Sequence, residues 1–283
     1  MKEAFFYTAE NSVITCELCP LNCKLNVGQS GKCGVRLNAS NKLYSKSYGL
    51  LSKLEIKPSQ GLFSHQNNNE KTIAIGSFGC NTKCFYCNNC GISHHSDNNE
   101  YEEYSTDNII KKALENNCTL IYHGYNEPLI NFEFVQELSI KASSHNLKTV
   151  ISSNGFINRL PLDDIIPHVY KFIIDIKAFD DLFYRNYTQA VLSPILSNLK
   201  RIRKADISLE INHLIIPQLN ETPEHFENMC QWIKNNLGAE TPLNLPQFKT
   251  VKNISLPNQS ISNLTIYKQI AEKHLRNVEI LME

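Results

Sequence analysis

The sequence predicts an α/β protein whose core is a partial (β/α)6 barrel, preceded by a cysteine-rich N-terminal extension. From residue 71 onward, short apolar segments rich in β-branched residues alternate with amphipathic segments of helical spacing. Strands that alternate with helices form parallel βαβ units. Six such units favour a partial barrel, with a doubly wound open sheet as the rival interpretation.

Six parallel strands are predicted in order along the barrel region. Each is a short apolar run, and several end in a polar motif, as expected for buried strands of a parallel sheet. The predicted strands lie at residues 72–75, 119–122, 148–151, 172–176, 208–216 and 243–248. Residues 278–281 are predicted to begin a seventh strand, after which the sequence stops.

Four amphipathic helices are predicted from apolar residues that recur at helical spacing. One helix begins behind a Ser105/Thr106 cap, and another begins at Thr222 with Pro223 in its first helical position. The apolar faces consist of Ile109, Ile110, Ala113 and Leu114; Phe134, Val135, Leu138 and Ala142; Phe226, Met229, Cys230, Ile233 and Leu237; and Leu264, Tyr267, Ala271 and Leu275.

Composition and charge narrow the class of protein. The 283 residues include 28 basic and 28 acidic side chains, so no net charge directs the chain toward nucleic acid or an anionic membrane. Residues 1–10 have no apolar signal-peptide region, and no stretch approaches the roughly 18 apolar residues of a membrane span. We therefore expect a cytoplasmic protein, with an extension at 1–65 and a TIM-like partial barrel at 66–283.

Three cysteines follow the first predicted strand as C-x3-C-x2-C, namely Cys80, Cys84 and Cys87. Three thiolates on one loop can ligate three irons of a [4Fe–4S] cluster and leave the fourth iron open to a small molecule. A zinc knuckle or a coincidental cysteine-rich loop is the alternative. Cys90 extends the pattern, either as a fourth ligand that closes the cluster or as a side chain that packs or lies near a substrate.

Polar motifs follow the next three strands. They are residues 125–128 (Tyr-Asn-Glu-Pro), residues 152–155 (Ser-Ser-Asn-Gly) and the pair Asp175 and Lys177. Because active sites of parallel α/β proteins lie at the carboxyl ends of the strands, these motifs and the cysteine loop are predicted to meet. The alternative is that Glu127 caps a turn and that the Asp–Lys pair is an ordinary ion pair.

A second group of cysteines lies in the extension with the spacing C-x2-C-x3-C-x9-C. It comprises Cys16, Cys19, Cys23 and Cys33, here called the N-terminal quartet. Clustered cysteines in a cytosolic chain favour metal binding or catalysis over disulfides. Four thiolates suit either a structural zinc ion or a second iron–sulfur cluster. Unliganded, redox-active or substrate-proximal thiols are the third possibility.

These motifs resemble the radical S-adenosylmethionine (SAM) superfamily, whose signature is a C-x3-C-x2-C loop after the first strand. The motifs after strands two to four are similar to those of the pyruvate formate-lyase-activating enzymes. The extension is similar to that of the AmmeMemoRadiSam radical SAM proteins, through its run Cys-Glu-Leu-Cys-Pro-Leu-Asn-Cys at 16–23 and through Gly28, Gly31, Cys33, Val35 and Arg36.

The resemblance implies a chemistry. SAM would chelate the unique iron, and one electron from the cluster would cleave SAM to methionine and a 5′-deoxyadenosyl radical, which takes a hydrogen atom from a substrate. A low-potential donor such as flavodoxin or ferredoxin is implied, and a glycyl-radical-type partner protein is the family-level substrate. A small molecule, a modified peptide or RNA is also open. The alternative function is a non-catalytic iron–sulfur or zinc protein for electron transfer or scaffolding.

The resemblance also assigns side chains to the two ends of SAM. Asn126 and Glu127 match the motif that accepts hydrogen bonds from the SAM ammonium group. Lys177, paired with Asp175, matches the residue that meets the SAM carboxylate. Tyr86, inside the cluster loop, is placed to pack over the adenine.

Further positions match the family near the nucleoside. Ser152, Ser153 and Asn154 correspond to a polar patch near the ribose and the methionine part of SAM. Asn212 corresponds to a polar side chain near the ribose, and Leu214 to a contact with the adenine. No residue is assigned to catalysis itself.

Three departures from the family pattern bear on substrate and partner. Cys90 stands where the family commonly has a tryptophan, and residues 243–248 lack the histidine that the activating enzymes carry near the adenine. The sequence also stops where relatives continue through a further strand and tail.

Overall fold

The structure, a computed structural model, describes residues 1–60, 62, 70–93, 100–250 and 254–282. Its N-terminal part consists of short strands joined by turns. These strands are β1 (Lys2–Glu3), β2 (Tyr7–Glu10), β3 (Val13–Cys16), β4 (Lys24–Leu25), β5 (Arg36–Ala39), β6 (Lys42–Ser45), β7 (Leu50–Leu51) and β8 (Lys53–Pro58).

The barrel region contains seven parallel strands and one short strand that pairs with β7. They are β9 (Lys71–Gly76), the short β10 (Glu102–Glu103), β11 (Cys118–His123), β12 (Lys148–Ser153), β13 (Lys171–Asp175), β14 (Ser208–Asn212), β15 (Leu243–Pro246) and β16 (Val278–Leu281).

Helices connect the parallel strands. They are α1 (Cys90–Ser93), α2 (Thr106–Glu115), α3 (Phe132–Ser144), α4 (Arg159–Ile165), α5 (Asp181–Thr188), α6 (Leu192–Lys204), α7 (Pro223–Leu237) and α8 (Ile261–Glu272). Two 3-10 turns, Pro128–Asn131 and Ile166–His168, complete the connections.

The strand order confirms the predicted fold class. The main sheet runs β8-β9-β11-β12-β13-β14-β15-β16, so the parallel strands follow one another in chain order. A doubly wound sheet would reverse its order at a switch point, and this sheet does not. Among the described residues, the edge strands β8 and β16 do not pair with each other, which leaves the barrel partial.

All seven predicted strands are present, but three end earlier than predicted. The strand predicted at 172–176 ends at Asp175. The strand predicted at 208–216 ends at Asn212. Beyond it the chain turns, and the carbonyl of Leu214 accepts a hydrogen bond from the Asn220 side chain at 2.8 Å. The strand predicted at 243–248 ends at Pro246, which has no N–H with which to continue the sheet hydrogen bonds.

The four predicted helices are also present, and both predicted starts are confirmed. Leu275, predicted on the last helix, lies beyond the end of α8 at Glu272. The Ser105 hydroxyl accepts a hydrogen bond from the backbone N–H of Asn108 at 3.1 Å, and Pro223 occupies the first turn of α7. Helices α1, α4, α5 and α6 were not predicted. Helix α4 contains Pro161 in its first turn, and α5 is short, so neither gives a long periodic signal.

The N-terminal part is more regular than its turn-rich sequence suggested. Strand β8 pairs antiparallel with β9, in a register from Lys53 opposite Gly76 to Pro58 opposite Lys71. The extension therefore contributes an edge strand to the barrel sheet. The predicted boundary between residues 65 and 66 lies outside the described residues.

A buried ion pair joins the extension to the barrel. Arg36 on β5 and Glu133 on α3 have side chains that are each 1% exposed, and Nη1 of Arg36 lies 2.7 Å from Oε2 of Glu133. Nη2 of Arg36 donates to the carbonyl of Phe5, whose own N–H donates to Glu133 at 2.7 Å. The extension is thus held against α3 by charge-assisted hydrogen bonds in a dry contact.

Within the described ranges, no helix has both the length and the apolar character needed to cross a membrane.

Candidate active site

The cluster loop, residues 77–93, begins directly after β9 and ends in α1. The Cys84 thiol is buried, Cys80 and Cys87 are partly exposed, and all three are free of disulfides. The Thr82 hydroxyl lies between two of the thiols, 3.3 Å from Sγ of Cys80 and 3.6 Å from Sγ of Cys84. The loop thus presents three available sulfur ligands around one turn of backbone.

Cys90 occupies a different environment from the other three thiols. It is exposed and is the first residue of α1, where its backbone N–H donates to the carbonyl of Cys87 at 3.3 Å. Its backbone therefore shapes the end of the cluster loop. Its predicted position outside the cluster stays a prediction.

Asn154 ties the turn after β12 to the cluster loop. Its Nδ2 donates to Oδ1 of Asn81 at 2.9 Å and lies 3.3 Å from the Thr82 hydroxyl and 3.8 Å from Sγ of Cys80. Its Oδ1 accepts from the N–H of Phe156 at 2.9 Å, which closes a turn of its own. A residue predicted to contact SAM therefore holds the first cluster cysteine in position.

Asn126 performs a similar task just before Cys80, at the start of the loop. Its Oδ1 accepts from the N–H of Ser77 at 3.0 Å, and its Nδ2 donates to the carbonyl of Gly79 at 3.0 Å. Both halves of the amide are used by backbone of the cluster loop, which sets the direction in which the loop leaves β9. The predicted role at the SAM ammonium stays a prediction beside this observed one.

Glu127 is buried and accepts three hydrogen bonds. Its Oε1 accepts from the N–H of Leu129 at 3.1 Å and from the Ser153 hydroxyl at 2.8 Å, and its Oε2 accepts from the N–H of Asn154 at 2.8 Å. Burial raises the pKa of the carboxyl to about 7, although these hydrogen bonds oppose the rise. The carboxylate caps the 3-10 turn, as the alternative interpretation had it, and it joins the ends of β11 and β12.

Asp175 and Lys177 form an ion pair at the end of β13. Nζ of Lys177 lies 2.7 Å from Oδ2 of Asp175, and both side chains are partly exposed. Burial lowers the pKa of Lys177 and the Asp175 carboxylate raises it, with a net shift upward. The ammonium is therefore fully charged near neutral pH and keeps donors available for an anionic group.

Two further predicted residues, Ser152 and Asn212, share the inner face of the sheet with Asp175. Ile173 packs with inner residues of neighbouring strands, and side chains two positions apart on a strand lie on the same face. Asn212 is opposite Asp175 in the register of β13 and β14, and Ser152 is opposite Ile173 in the register of β12 and β13. These side chains line the interior at the carboxyl ends of the strands.

Tyr86 and Leu214 belong to one apolar cluster that also contains Cys84, Phe183 and Phe248. Tyr86 is 3% exposed, and its hydroxyl has no hydrogen-bond partner. Leu214 is partly exposed at the edge of this cluster. The structure thus brings together the two residues predicted beside the adenine, with Leu214 the more accessible.

Three positioning residues were not predicted. Nδ2 of Asn220 donates to the carbonyls of Lys177 and Leu214 at 2.7 Å and 2.8 Å, so it joins two predicted SAM positions. The Tyr184 hydroxyl accepts from the N–H of Lys177 at 2.9 Å. Asn81, inside the cluster loop, could have been singled out from its place beside Cys80, whereas the other two give no sequence signal.

The N-terminal quartet lies behind the cluster loop. Three of its cysteines, Cys16, Cys19 and Cys33, are buried, and Cys23 is partly exposed. Across the described part of the chain, no three Cys, His, Asp or Glu side chains converge closely enough to hold a single metal ion. This applies to the quartet and to the cluster loop alike.

The fold and the site together are a parallel partial-barrel sheet with three free thiols on the loop after β9. The sequence matches the profile of the radical SAM superfamily over residues 75–233, more than half of the chain. The chain belongs to the radical SAM superfamily.

The sequence relatives include an uncharacterised protein and an activating enzyme. Protein MJ0808 of Methanocaldococcus jannaschii is 31% identical over 99% of this chain and 85% of its own length. The pyruvate formate-lyase-activating enzyme of Clostridium pasteurianum is 23% identical over 59% of this chain and 71% of its own length. The family and the activating-enzyme relatives indicate an enzyme rather than a non-catalytic scaffold or electron carrier.

A solved structure supports the fold. The radical SAM methyltransferase of Sphaerobacter thermophilus superposes with a TM-score of 0.62, at 14% identity, over 77% of this chain and 67% of its own. At that identity the likeness concerns the fold alone.

The residues present fit the [4Fe–4S] cluster and SAM that the family implies. Three free thiols on one loop are the ligand set for three irons of such a cluster. The ion pair of Asp175 and Lys177 lies on the same edge of the sheet and offers a charged donor for a carboxylate.

Proposed function

We propose that this enzyme reductively cleaves SAM at a [4Fe–4S] cluster held by Cys80, Cys84 and Cys87. When bound, the cluster and SAM together supply a 5′-deoxyadenosyl radical, which abstracts a hydrogen atom from a substrate. The observation that carries the proposal is the set of three free thiols on a loop tied to the ends of β11 and β12.

The chain's own residues would divide the work of binding. Asn126 and Asn154 hydrogen-bond the cluster loop and so fix the direction of the three thiols. Lys177 would donate to the carboxylate of SAM as a point charge, with Asp175 holding its ammonium in place. Such an arrangement orients the ligand before the chemical step, which is what the protein contributes to cofactor chemistry.

The nucleoside would lie across the strand ends toward Leu214. Asn212 and Ser152 line the inner face beside Asp175 and supply polar groups for the ribose. The apolar cluster of Tyr86 and Leu214 supplies a surface for the adenine. Burial of this cluster also limits access of water to the site.

For the substrate, we propose a partner polypeptide of the glycyl-radical type. The support is the likeness to the pyruvate formate-lyase-activating enzyme of C. pasteurianum, whose name states that it activates another enzyme. A flavodoxin or a ferredoxin would deliver the low-potential electron. A glycyl-radical enzyme incubated with the reduced protein and SAM should develop a glycyl-radical EPR signal, and absence of the signal would count against this substrate class.

The test of SAM cleavage is anaerobic. The purified protein is reconstituted with iron and sulfide, reduced with dithionite and assayed for 5′-deoxyadenosine after SAM is added. We expect product from the native chain and none from Cys84→Ala. The matched control is Cys118→Ala, which removes a buried thiol on β11 outside the cluster loop and should retain product. A native protein with a full cluster and no product would refute the proposal.

A further inference from the structure

The N-terminal quartet and the cluster loop meet at two contacts. The first is at Gly79, which precedes Cys80 and has a φ of +84°. A Cβ at this position would lie 2.6 Å from the carbonyl oxygen of Cys33, closer than real Cβ atoms approach. The backbone of the cluster loop therefore packs directly on the backbone of a quartet cysteine, and it can do so because residue 79 has no side chain.

The second contact is at Asn81, on the other side of Cys80. The Asn81 side chain lies close to the thiol of Cys19. Its Oδ1 also accepts from Asn154, and its Nδ2 donates to the carbonyl of Phe156 at 2.7 Å. Both neighbours of the first cluster cysteine thus touch the N-terminal quartet.

Two thiols of the quartet lie on either side of the space next to Gly31. A Cβ on Gly31 would lie 3.7 Å from Sγ of Cys23 and 3.7 Å from Sγ of Cys33. Cys19 interacts electrostatically with both Cys33 and Cys16. Four cysteines from β3, the turn after it and the segment before β5 are therefore gathered behind the cluster loop.

An unpaired buried donor lies beside these thiols. Among the described residues, Nε of Arg36 is buried without a hydrogen-bond partner, while the other nitrogens of its guanidinium bind Glu133 and the carbonyl of Phe5. Arg36 interacts electrostatically with Cys16 and Cys33. A buried donor without a partner is costly, and an anionic sulfur would satisfy it.

We propose that the N-terminal quartet binds a metal centre through its four thiolates and that this centre braces the cluster loop from behind. The inference rests on the proposed function in assigning a cluster to that loop. The chemistry is four-thiolate ligation, which a zinc ion and an iron–sulfur cluster share. In both cysteine groups the thiols must close around their centre as it binds, because metal ligation is coupled to local folding.

The first experiment counts metal in anaerobically purified and reconstituted protein. A zinc centre gives about one zinc beside about four irons per chain, and a second cluster gives about eight irons. Cys19→Ser should lose that zinc or about four of the eight irons, whereas Cys230→Ser, at a buried thiol of α7, should lose neither. A native chain with about four irons and no zinc overturns the proposal, as does a Cys19→Ser chain with unchanged metal content.

The second experiment tests the brace with every metal ligand intact. Asn81→Ala removes the contact with Cys19 together with the hydrogen bonds to Asn154 and Phe156, so its spectra are compared with those of the native chain at equal iron content. We expect its reduced cluster, with SAM bound, to show a shifted EPR spectrum and a changed reduction potential. Asn158→Ala is the control, since Asn158 hydrogen-bonds the extension at Glu17 and Asn22 without contacting the cluster loop. An unchanged spectrum and potential in Asn81→Ala overturns the brace, and this variant remains informative where Cys19→Ser fails to fold.

A double variant shows whether the quartet changes the reduction potential of the cluster through the contact between Cys19 and Asn81. If the quartet acts on the loop through Cys19 and Asn81, the change in potential in Cys19→Ser/Asn81→Ala should fall clearly below the sum of the two single changes. If the two changes in reduction potential are additive, the quartet does not act on the loop through Cys19 and Asn81. The outcome is independent of turnover: a native chain that makes no 5′-deoxyadenosine yet gives the expected metal counts and spectra would refute the proposed function and leave the quartet assignment standing.

Discussion

Nδ2 of Asn154 donates to Oδ1 of Asn81 at 2.9 Å, across 73 positions of sequence. The bond joins the turn after β12 to the residue that follows the first cluster cysteine. A motif that the family resemblance assigned to SAM is therefore also part of the framework of the cluster loop. Loss of such a residue should affect the stability of the loop before any ligand is bound.

Asn154→Ala should destabilise the metal-free chain. It removes the buried hydrogen bond to Asn81 and leaves a buried acceptor unpaired, which typically costs about 1–3 kcal/mol. Denaturant unfolding measures the difference, and iron retention after reconstitution should fall in parallel. Asn158→Ala serves as the matched control because its hydrogen bonds are exposed. Equal losses in the two variants would contradict the special position of Asn154.

Cys90→Ala should retain the full [4Fe–4S] cluster of the cluster loop. The residue is exposed at the start of α1, and the three cysteines before it already provide the ligands of a cluster with one open iron. Iron and sulfide analysis and the EPR spectrum after reduction measure this, with Cys84→Ala as the variant that loses the cluster. Loss of iron in Cys90→Ala would show instead that the cluster is closed by four cysteines.

Lys177→Ala should weaken SAM binding while the cluster remains. A hydrogen bond to a charged group contributes about 1.5–3 kcal/mol, so the KM for SAM should rise roughly 10- to 100-fold. The rate of 5′-deoxyadenosine formation at several SAM concentrations gives this number. Lys200→Ala, on the surface of α6, controls for loss of a lysine far from the site. An unchanged KM would leave the Asp175–Lys177 pair as a structural ion pair only.

The stability of the metal-free chain should decrease as the pH rises, because of Glu127. Its pKa is about 7 in the folded chain against an ordinary value of 4.5, so between these values the folded state binds more protons than the unfolded state. Stability therefore decreases as the pH rises from 4.5 to 7, and this group adds no further change above 7. At 1.36 kcal/mol per pKa unit, the total is about 3 kcal/mol.

Glu127→Gln removes this titration and so provides the comparison. Urea unfolding of both chains at pH 5 and pH 8 should show the native chain losing about 3 kcal/mol more than the variant over that interval. Parallel pH profiles would mean that Glu127 titrates near its ordinary pKa in the folded state.

Arg36→Ala should destabilise the chain strongly because Glu133 would keep a buried charge without a partner. Breaking a buried pair in this way typically costs about 3–5 kcal/mol. Arg276→Ala, which breaks an exposed pair with Glu240, should cost at most about 1 kcal/mol. Denaturant unfolding compares the two. The double variant Arg36→Met/Glu133→Leu should recover much of the loss, and a loss in Arg36→Ala as small as in Arg276→Ala would rule out the anchoring role.

Much of the fold was predictable because the signals are local. Each parallel strand is a short apolar run such as 148–151, and α7 has both a proline start and a continuous apolar face. Helix α4 was missed because it is only seven residues long and contains a proline, so it shows no repeating pattern of apolar residues. The strands of residues 1–60 were missed because they are two to six residues long and pair mainly with each other.

The sequence predicted which residues lie at the candidate site, but it did not predict which partner each side chain binds. Residues at the carboxyl ends of parallel strands must meet, so Asn126, Glu127 and Asn154 could be grouped in advance. Which atoms face a ligand and which face the backbone depends on side-chain direction. Only packing shows that Glu127 already accepts three hydrogen bonds from the protein.

The sequence by itself determined the alternation of strands and helices, the three-cysteine loop and the family to which the chain belongs. These follow from spacing within a few residues, where the geometry of strand, turn and helix leaves little freedom. The tertiary structure alone decided that Arg36 meets Glu133, 97 residues away, and that Cys33 lies against Gly79. Such contacts arise only when separate segments bury their surfaces together, and no local pattern encodes which segments will do so.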